Sequence, residues 1–309
     1  MGEKRGKILV VRGGAIGDFI LTLPAISSLR NTFADAHLEV LGYPVVAELA
    51  KAGGLIDGFR SIEAGALSRF FARNAKLDPG WVEYFESFNL IISYLYDPDG
   101  IFRTNVGCAS NAQFIQGLHR PDEKSDAHAT AVFLKPLEQL AIFGADPAPC
   151  ISLKSKETPR PGKWIAVHPG SGSERKNWKV GRWFTLLEWV QTKTDWNILL
   201  VGGEAEGARL DELAPAISKQ RLRRAERLPL AELAGLLAQC DIFVGHDSGI
   251  THLAAATGCK VVAIWGPSRR IIWQPLNANV RVVEAPAADL EQLSAETVID
   301  AVNEVISRP

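Results

Sequence analysis

The chain has no net charge to speak of: 34 basic and 35 acidic residues leave −1. That balance implies no large basic surface for nucleic acid, while leaving local patches open. Long apolar runs are also missing, and no stretch approaches the roughly 18 residues of a membrane span. The charged opening MGEKRGK meets an apolar run that is short and ends in arginine and glycines, unlike a signal peptide. Cysteine is scarce. Cys108, Cys150, Cys240 and Cys259 stand far apart without metal-type spacing, and are expected to be buried, reduced thiols. Carboxylates are not clustered as a metal site would need, and the first glycine turn does not fit G-x-G-x-x-G, so no dinucleotide fingerprint is supported. These absences point to a cytoplasmic enzyme whose 309 residues suffice for two domains.

What is present is alternation. Ile8 to Val11, LEVLGY (38–43), NLIISYLY (89–96), WIAVHPG (164–170), NILLVGG (197–203), DIFVGHD (241–247) and KVVAIWG (260–266) are short and apolar. Runs apolar on both faces suit parallel strands covered by helices on either side. WFTLLEWVQTKT and LAELAGLLAQC carry apolar residues at helical spacing, and DLEQLSAETVIDAVNEVI reads as an amphipathic terminal helix capped by Ser294 or Thr297. The fold class expected is α/β and doubly wound. The polar stretch Ser152 to Lys163, with two prolines and a glycine, divides it. A Rossmann-like domain is expected over 1–155 and a second over 163–309, with a last helix free to pack back on the first. Ligands in such sheets collect where strands end and helices begin.

Several motifs sit at those ends. In VGHDSGITHLAAATG, Asp247, Ser248 and Gly249 turn a strand into a helix beginning near Ile250, with His252 within its first turn. Free N–H groups there suit a phosphate; equally, Asp247 or Ser248 serves as a plain N-cap and His252 merely covers the helix. In AVHPGSGSERKNWKVGRWFTLL, Ser171 and Ser173 suit phosphate oxygens, and Arg175, Lys176 and Lys179 add positive charge; the alternative is a solvated basic loop. Two such turns in one domain favour the phosphate reading. Glu204 and Glu206 stand where an acid reaches a ribose, or are first-turn acids of the next helix. In the first half, Gly13, Gly14 and Gly17 lead into Asp18. That carboxylate either stabilises a helix dipole or acts as a general base.

Together RGGAIGDFILTLPAI, HPGSGSERKNW, GGEAEGARL and VGHDSGITHLAAATGCKVVAIWGPS resemble glycosyltransferase family 9, from about residue 7 to about residue 275. This is the family of the ADP-heptose:lipopolysaccharide heptosyltransferases. The resemblance implies a GT-B fold: two Rossmann-like domains facing a central cleft, acceptor on the first and nucleotide sugar on the second. It implies an inverting transferase with no metal and no cofactor. Asp18 matches the catalytic base, and Lys176, with Trp178, the lysine that neutralises the departing diphosphate. Ser171 and Gly172 fall on phosphate-binding positions, Glu206 on the ribose-binding acid and Leu228 on the residue packing the base. Asp247, Ser248, Gly249 and His252 match the turn holding diphosphate and sugar. Gly13, Gly14 and Gly17 fall on the acceptor side. The implied partners are ADP-heptose or a similar donor and a glycan or glycolipid acceptor, not nucleic acid.

The lipopolysaccharide heptosyltransferases have, after a strand, a glutamine-glycine turn near a basic residue. Here that segment reads YLYDPDGIFRTNVG, with Asp97 and Asp99, which leaves open another donor sugar and another acceptor. Leu67 to Phe88 mixes Arg69, Arg73 and Lys76 with aromatics. Two readings stand for it: headgroup contact at the cytoplasmic face of the inner membrane, or an ordinary helix face. A binding protein of the same shape without turnover, and a related epimerase, complete the alternatives.

Overall fold

The computed structural model describes residues 6–153, 161–203 and 207–307. The chain divides into two compact units, Met1–Pro147 and Ala148–Pro309. The break precedes the polar stretch because the residues leading into that stretch already belong to the second unit. There, Ile151 N–H donates to the Ala256 carbonyl and the Asn277 amide donates to the Pro149 carbonyl.

The first unit runs β1 (Lys7–Arg12), α1 (Ile16–Ile20), α2 (Leu23–Thr32), β2 (His37–Gly42), α3 (Pro44–Ala52), β3 (Gly58–Ser61), α4 (Pro79–Glu86), β4 (Leu90–Ser93), α5 (Ile101–Ala109), β5 (Gln113–Gln116) and α6 (Ala129–Leu134). Its sheet is parallel in the order β3-β2-β1-β4-β5. Ile8 to Val11 is buried because helices cover both faces of β1, each such side chain contributing about 2 kcal/mol of burial. Leu9 and Val11 join an aromatic core of Phe70, Trp81, Tyr84, Phe85, Phe88 and Phe102. Most aromatics between Leu67 and Phe88 therefore face inward, which favours the ordinary-helix reading of that stretch. Phe71 stays exposed, stacked on Phe102 at 5.0 Å.

The second unit runs β6 (Trp164–His168), α7 (Val180–Lys193), β7 (Asn197–Gly202), α8 (Gly207–Leu213), β8 (Leu222–Glu226), α9 (Leu230–Leu237), β9 (Ile242–His246), α10 (Gly249–Ala256), β10 (Lys260–Trp265), α11 (Arg270–Trp273), β11 (Val280–Glu284) and α12 (Ala295–Ser307). All neighbours in the order β11-β10-β9-β6-β7-β8 are parallel. In the unit's own numbering this is the Rossmann order, which reverses between β6 and β9 and so opens a crevice at their carboxyl ends. Trp164 N–H donates to the Asp241 carboxylate at 2.7 Å where these two strands begin. The apolar face of α12 packs on α7, β10 and β11 of its own unit. Ser294 caps this helix, its hydroxyl accepting the Thr297 N–H at 3.2 Å.

None of the four cysteines is in a disulfide, but only Cys240 and Cys259 are buried; Cys108 on α5 and Cys150 beside the unit boundary are exposed, against expectation. Cys108 lies outside the buried stripe of α5, formed by Phe102, Val106 and Ala109. Among the described residues no helix is long and apolar enough to cross a membrane.

Candidate active site

Asp18 sits in α1, directly after β1. Its carboxylate accepts the Ala15 N–H at 3.0 Å and closes the first turn, leaving the side chain 28% exposed. Gly14 makes this possible. Its φ is +101°, and a Cβ there would lie 2.8 Å from Asp18 Oδ2. The glycine turn thus makes room for Asp18 itself. Gly13 is under no such demand, since a Cβ there makes ordinary contact with Leu95. Gly17 lies within α1.

Beneath Asp18 is Arg12, 2% exposed, whose Nη2 donates to the Asp18 carbonyl at 3.2 Å and lies 3.9 Å from its carboxylate. Nη1 donates to the His119 carbonyl at 2.8 Å, and the guanidinium lies 4.4 Å from the Phe133 ring centre. Burial lowers the Arg12 pKa and Asp18 partly restores it. His119, exposed, packs at 4.7 Å on the exposed ring of Tyr96. Burial and the Arg12 charge lower its pKa while Asp18 raises it. Asp97 accepts from the N–H groups of Phe102 and Arg103 at the start of α5, and Asp99 lies 3.7 Å from Arg73.

In the second unit, the loop after β6 and the turn after β9 meet across the switch point. Lys176 Nζ donates to Asp247 Oδ2 at 2.6 Å, with the side chains 35% and 10% exposed. Ser248, not Asp247, caps α10 by accepting the Thr251 N–H. Gly249 begins that helix, and His252 is buried in its first turn. The Ser171 hydroxyl is engaged inside its own loop, with the Ser173 backbone and the Asn177 side chain. Gly172 is exposed, with open space where a Cβ would stand. Leu228 is half-buried between β8 and α9. Glu206 and Glu204 lie outside the described residues. Arg209 donates to the Pro169 carbonyl and to Glu174, both at 3.0 Å, bracing the loop after β6 from α8. Leu228, Lys176 and Asp247 all follow carboxyl ends of parallel strands, with helix-start N–H groups among them, an arrangement suited to a bound anion.

The family model described as "Glycosyltransferase family 9 (heptosyltransferase)" matches residues 117–302, more than half of the chain. The chain belongs to glycosyltransferase family 9. The matched span holds Lys176 and Asp247 and begins beyond Asp18, but similarity to whole relatives reaches further. Lipopolysaccharide heptosyltransferase 3 of Escherichia coli K12 is 23% identical, over 85% of this chain and 83% of the relative. Two solved structures share the fold. A family 9 glycosyltransferase from Veillonella parvula aligns with TM-score 0.79 at 17% identity, over 99% of this chain and 98% of that one. The E. coli ADP-heptose lipopolysaccharide heptosyltransferase II gives 0.78 at 16%, over 97% and 98%. This family 9 glycosyltransferase accordingly has the GT-B fold.

Sequence reasoning missed three residues of the transferase: Arg12, Arg209 and His246. Arg12 closes an apolar strand and reads as the point where that strand stops, and His246 falls inside the run DIFVGHD. Arg209 stands in a helix beside GGEAEG. For Arg12, the signal available was a charge immediately behind the run Ile8 to Val11, where every other side chain is apolar.

Proposed function

We propose that this protein moves heptose from ADP-heptose to a lipopolysaccharide core or related glycan, in one inverting displacement without a metal. The observation that carries the donor half is the Lys176–Asp247 contact at 2.6 Å, which joins two phosphate-suited turns. Lys176 turns from Asp247 to the diphosphate, and the N–H groups at the start of α10 add to its field. Asp247 and Ser248 are then left to the sugar side, Ser171 and Gly172 shape the phosphate loop, Glu206 holds the ribose and Leu228 packs the base. Asp18 takes the proton from the acceptor hydroxyl, which approaches over Gly13, Gly14 and Gly17. The acceptor hydroxyl oxygen forms a bond to the anomeric carbon while the bond from that carbon to the diphosphate oxygen breaks. The electron pair leaves with ADP, and the anomeric centre inverts because no protein nucleophile intervenes. We invoke no divalent cation, since Lys176 and the helix-start N–H groups supply the positive charge that the leaving group needs.

A second reading, with another acceptor, is favoured by Asp97 and Asp99, which stand where a glutamine-glycine turn is expected and are engaged with α5 and Arg73. Peripheral membrane contact belongs with a lipid-linked acceptor and would use exposed Phe71 beside Arg69 and Arg73.

The test is calorimetric titration with ADP-heptose, ADP-glucose and UDP-glucose, followed by transfer to heptose-deficient lipopolysaccharide. Micromolar binding of ADP-heptose alone is expected; tight binding of UDP-glucose instead overturns the donor. Asp18→Asn should keep donor affinity and lose at least ~10²-fold in turnover. Lys176→Ala should weaken both.

A further inference from the structure

His246, the last residue of β9, is a buried imidazole that the transfer chemistry does not use. Its Nε2 accepts the Trp178 N–H at 2.8 Å, and its Nδ1 faces the Gly170 carbonyl at 3.4 Å. The ring proton therefore belongs on Nδ1, and both edges of the ring address the same loop. Trp183 packs edge-on against the ring at 5.3 Å, and the Thr251 hydroxyl of α10 donates to the His246 carbonyl. One side chain thus ties the loop after β6, near its start and at its end, to the strand whose next residue is Asp247.

We propose that His246 is a positioning residue of the nucleotide-sugar site, accepting the Trp178 N–H so that the Lys176 loop is held beside Asp247, within reach of the diphosphate, before ligand arrives. The inference rests on the donor-site reading given above. Trp178 is two residues from Lys176 and His246 is one from Asp247, so the bond fixes the separation of the two turns. Without it, ordering the loop falls to the binding step and weakens affinity. Protonation would set an N–H of the ring against the Trp178 N–H. Burial, with His168 and Arg209 nearby, pushes the His246 pKa down to about 3, which preserves the acceptor at neutral pH.

The competing role is core filling beside Trp178 and Trp183, and two substitutions separate the roles. His246→Phe fills the volume without an acceptor. His246→Gln carries an oxygen at about the reach of Nε2. With ADP as the calorimetric probe, His246→Gln should bind within about threefold of the parent and His246→Phe about tenfold or more weaker. Equal affinity of the two variants overturns the proposal. If His246→Phe does not melt cooperatively, the parent chain decides by 15N NMR. An unprotonated, hydrogen-bonded Nε2 and a Trp178 amide that shifts on adding ADP support the role. A protonated Nε2, or a Trp178 amide that ADP leaves unmoved, overturns it. Lys176→Ala is the control: parental ADP affinity there sinks the donor-site reading itself. A weakened Lys176→Ala beside an unweakened His246→Phe sinks only the role of His246.

Discussion

At Gly14 the backbone adopts φ +101°, and the space a Cβ would fill belongs to the Asp18 carboxylate. Gly14→Ala therefore meets two penalties at once, a left-handed backbone and a clash with the proposed base. Melting should show a loss of about 1 kcal/mol or more. Turnover should fall by about 10²-fold, since a base moved by an ångström loses its aim. ADP affinity, which the proposed donor site places in the second unit, should stay; a variant with parental turnover would remove Gly14 from this role. The residue types at each turn were legible from the sequence, because glycine, serine and a lysine or aspartate at a strand end have few structural uses. Their partners were not. Lys176 and Asp247 read as two separate features 71 residues apart, and only the adjacency of β6 and β9 makes them touch. Arg12 was hidden for a related reason: its partners Tyr94, His119 and Phe133 lie across the sheet, far along the chain.

Among elements, the strands that sequence reasoning found are the inner ones. LEVLGY, NLIISYLY, WIAVHPG, NILLVGG, DIFVGHD and KVVAIWG became β2, β4, β6, β7, β9 and β10, and Ile8 to Val11 became β1. The four missed, β3, β5, β8 and β11, are the four sheet edges. Edge strands carry charge and polarity because one side is open, as LRRAE and VRVVE do in β8 and β11. Their apolar runs are too broken to register. Helix starts were easier to read. Ser294 stood as one of two candidates for the cap of α12, and its hydroxyl accepts the Thr297 N–H. Ser294→Ala should lower stability by about 1 kcal/mol, with Thr297→Ala costing less. Equal losses from the two, compared by denaturant melts, would mean the cap is not what holds that end.

Across the whole molecule, Trp81 is the one tryptophan of the first unit, and the other seven lie in the second. Tryptophan fluorescence therefore reports mainly on the second unit, which also contains the buried His168 and His246. Burial pushes their pKa values from 6.5 down to about 4 and about 3. The folded unit thus stays neutral at these rings while the unfolded chain takes up protons below 6.5. Their contribution is fully present above pH 6.5, is lost progressively as pH falls below it, and is gone once pH has passed through 4 and 3. The expected slope is up to about 1.4 kcal/mol per pH unit for each ring. Denaturant midpoints followed by tryptophan emission should fall between pH 7 and pH 5; a flat profile would contradict the burial of neutral rings.

The neighbouring positions of β6 and β9 also order events during synthesis. The Lys176 loop leaves the ribosome well before Asp247 and the start of α10, which lie beyond β7 and β8 in the chain. A nascent chain halted after β8 has half of the proposed nucleotide site and no means of closing it. Nucleotide can act as a folding ligand for this unit only once α10 has cleared the exit tunnel.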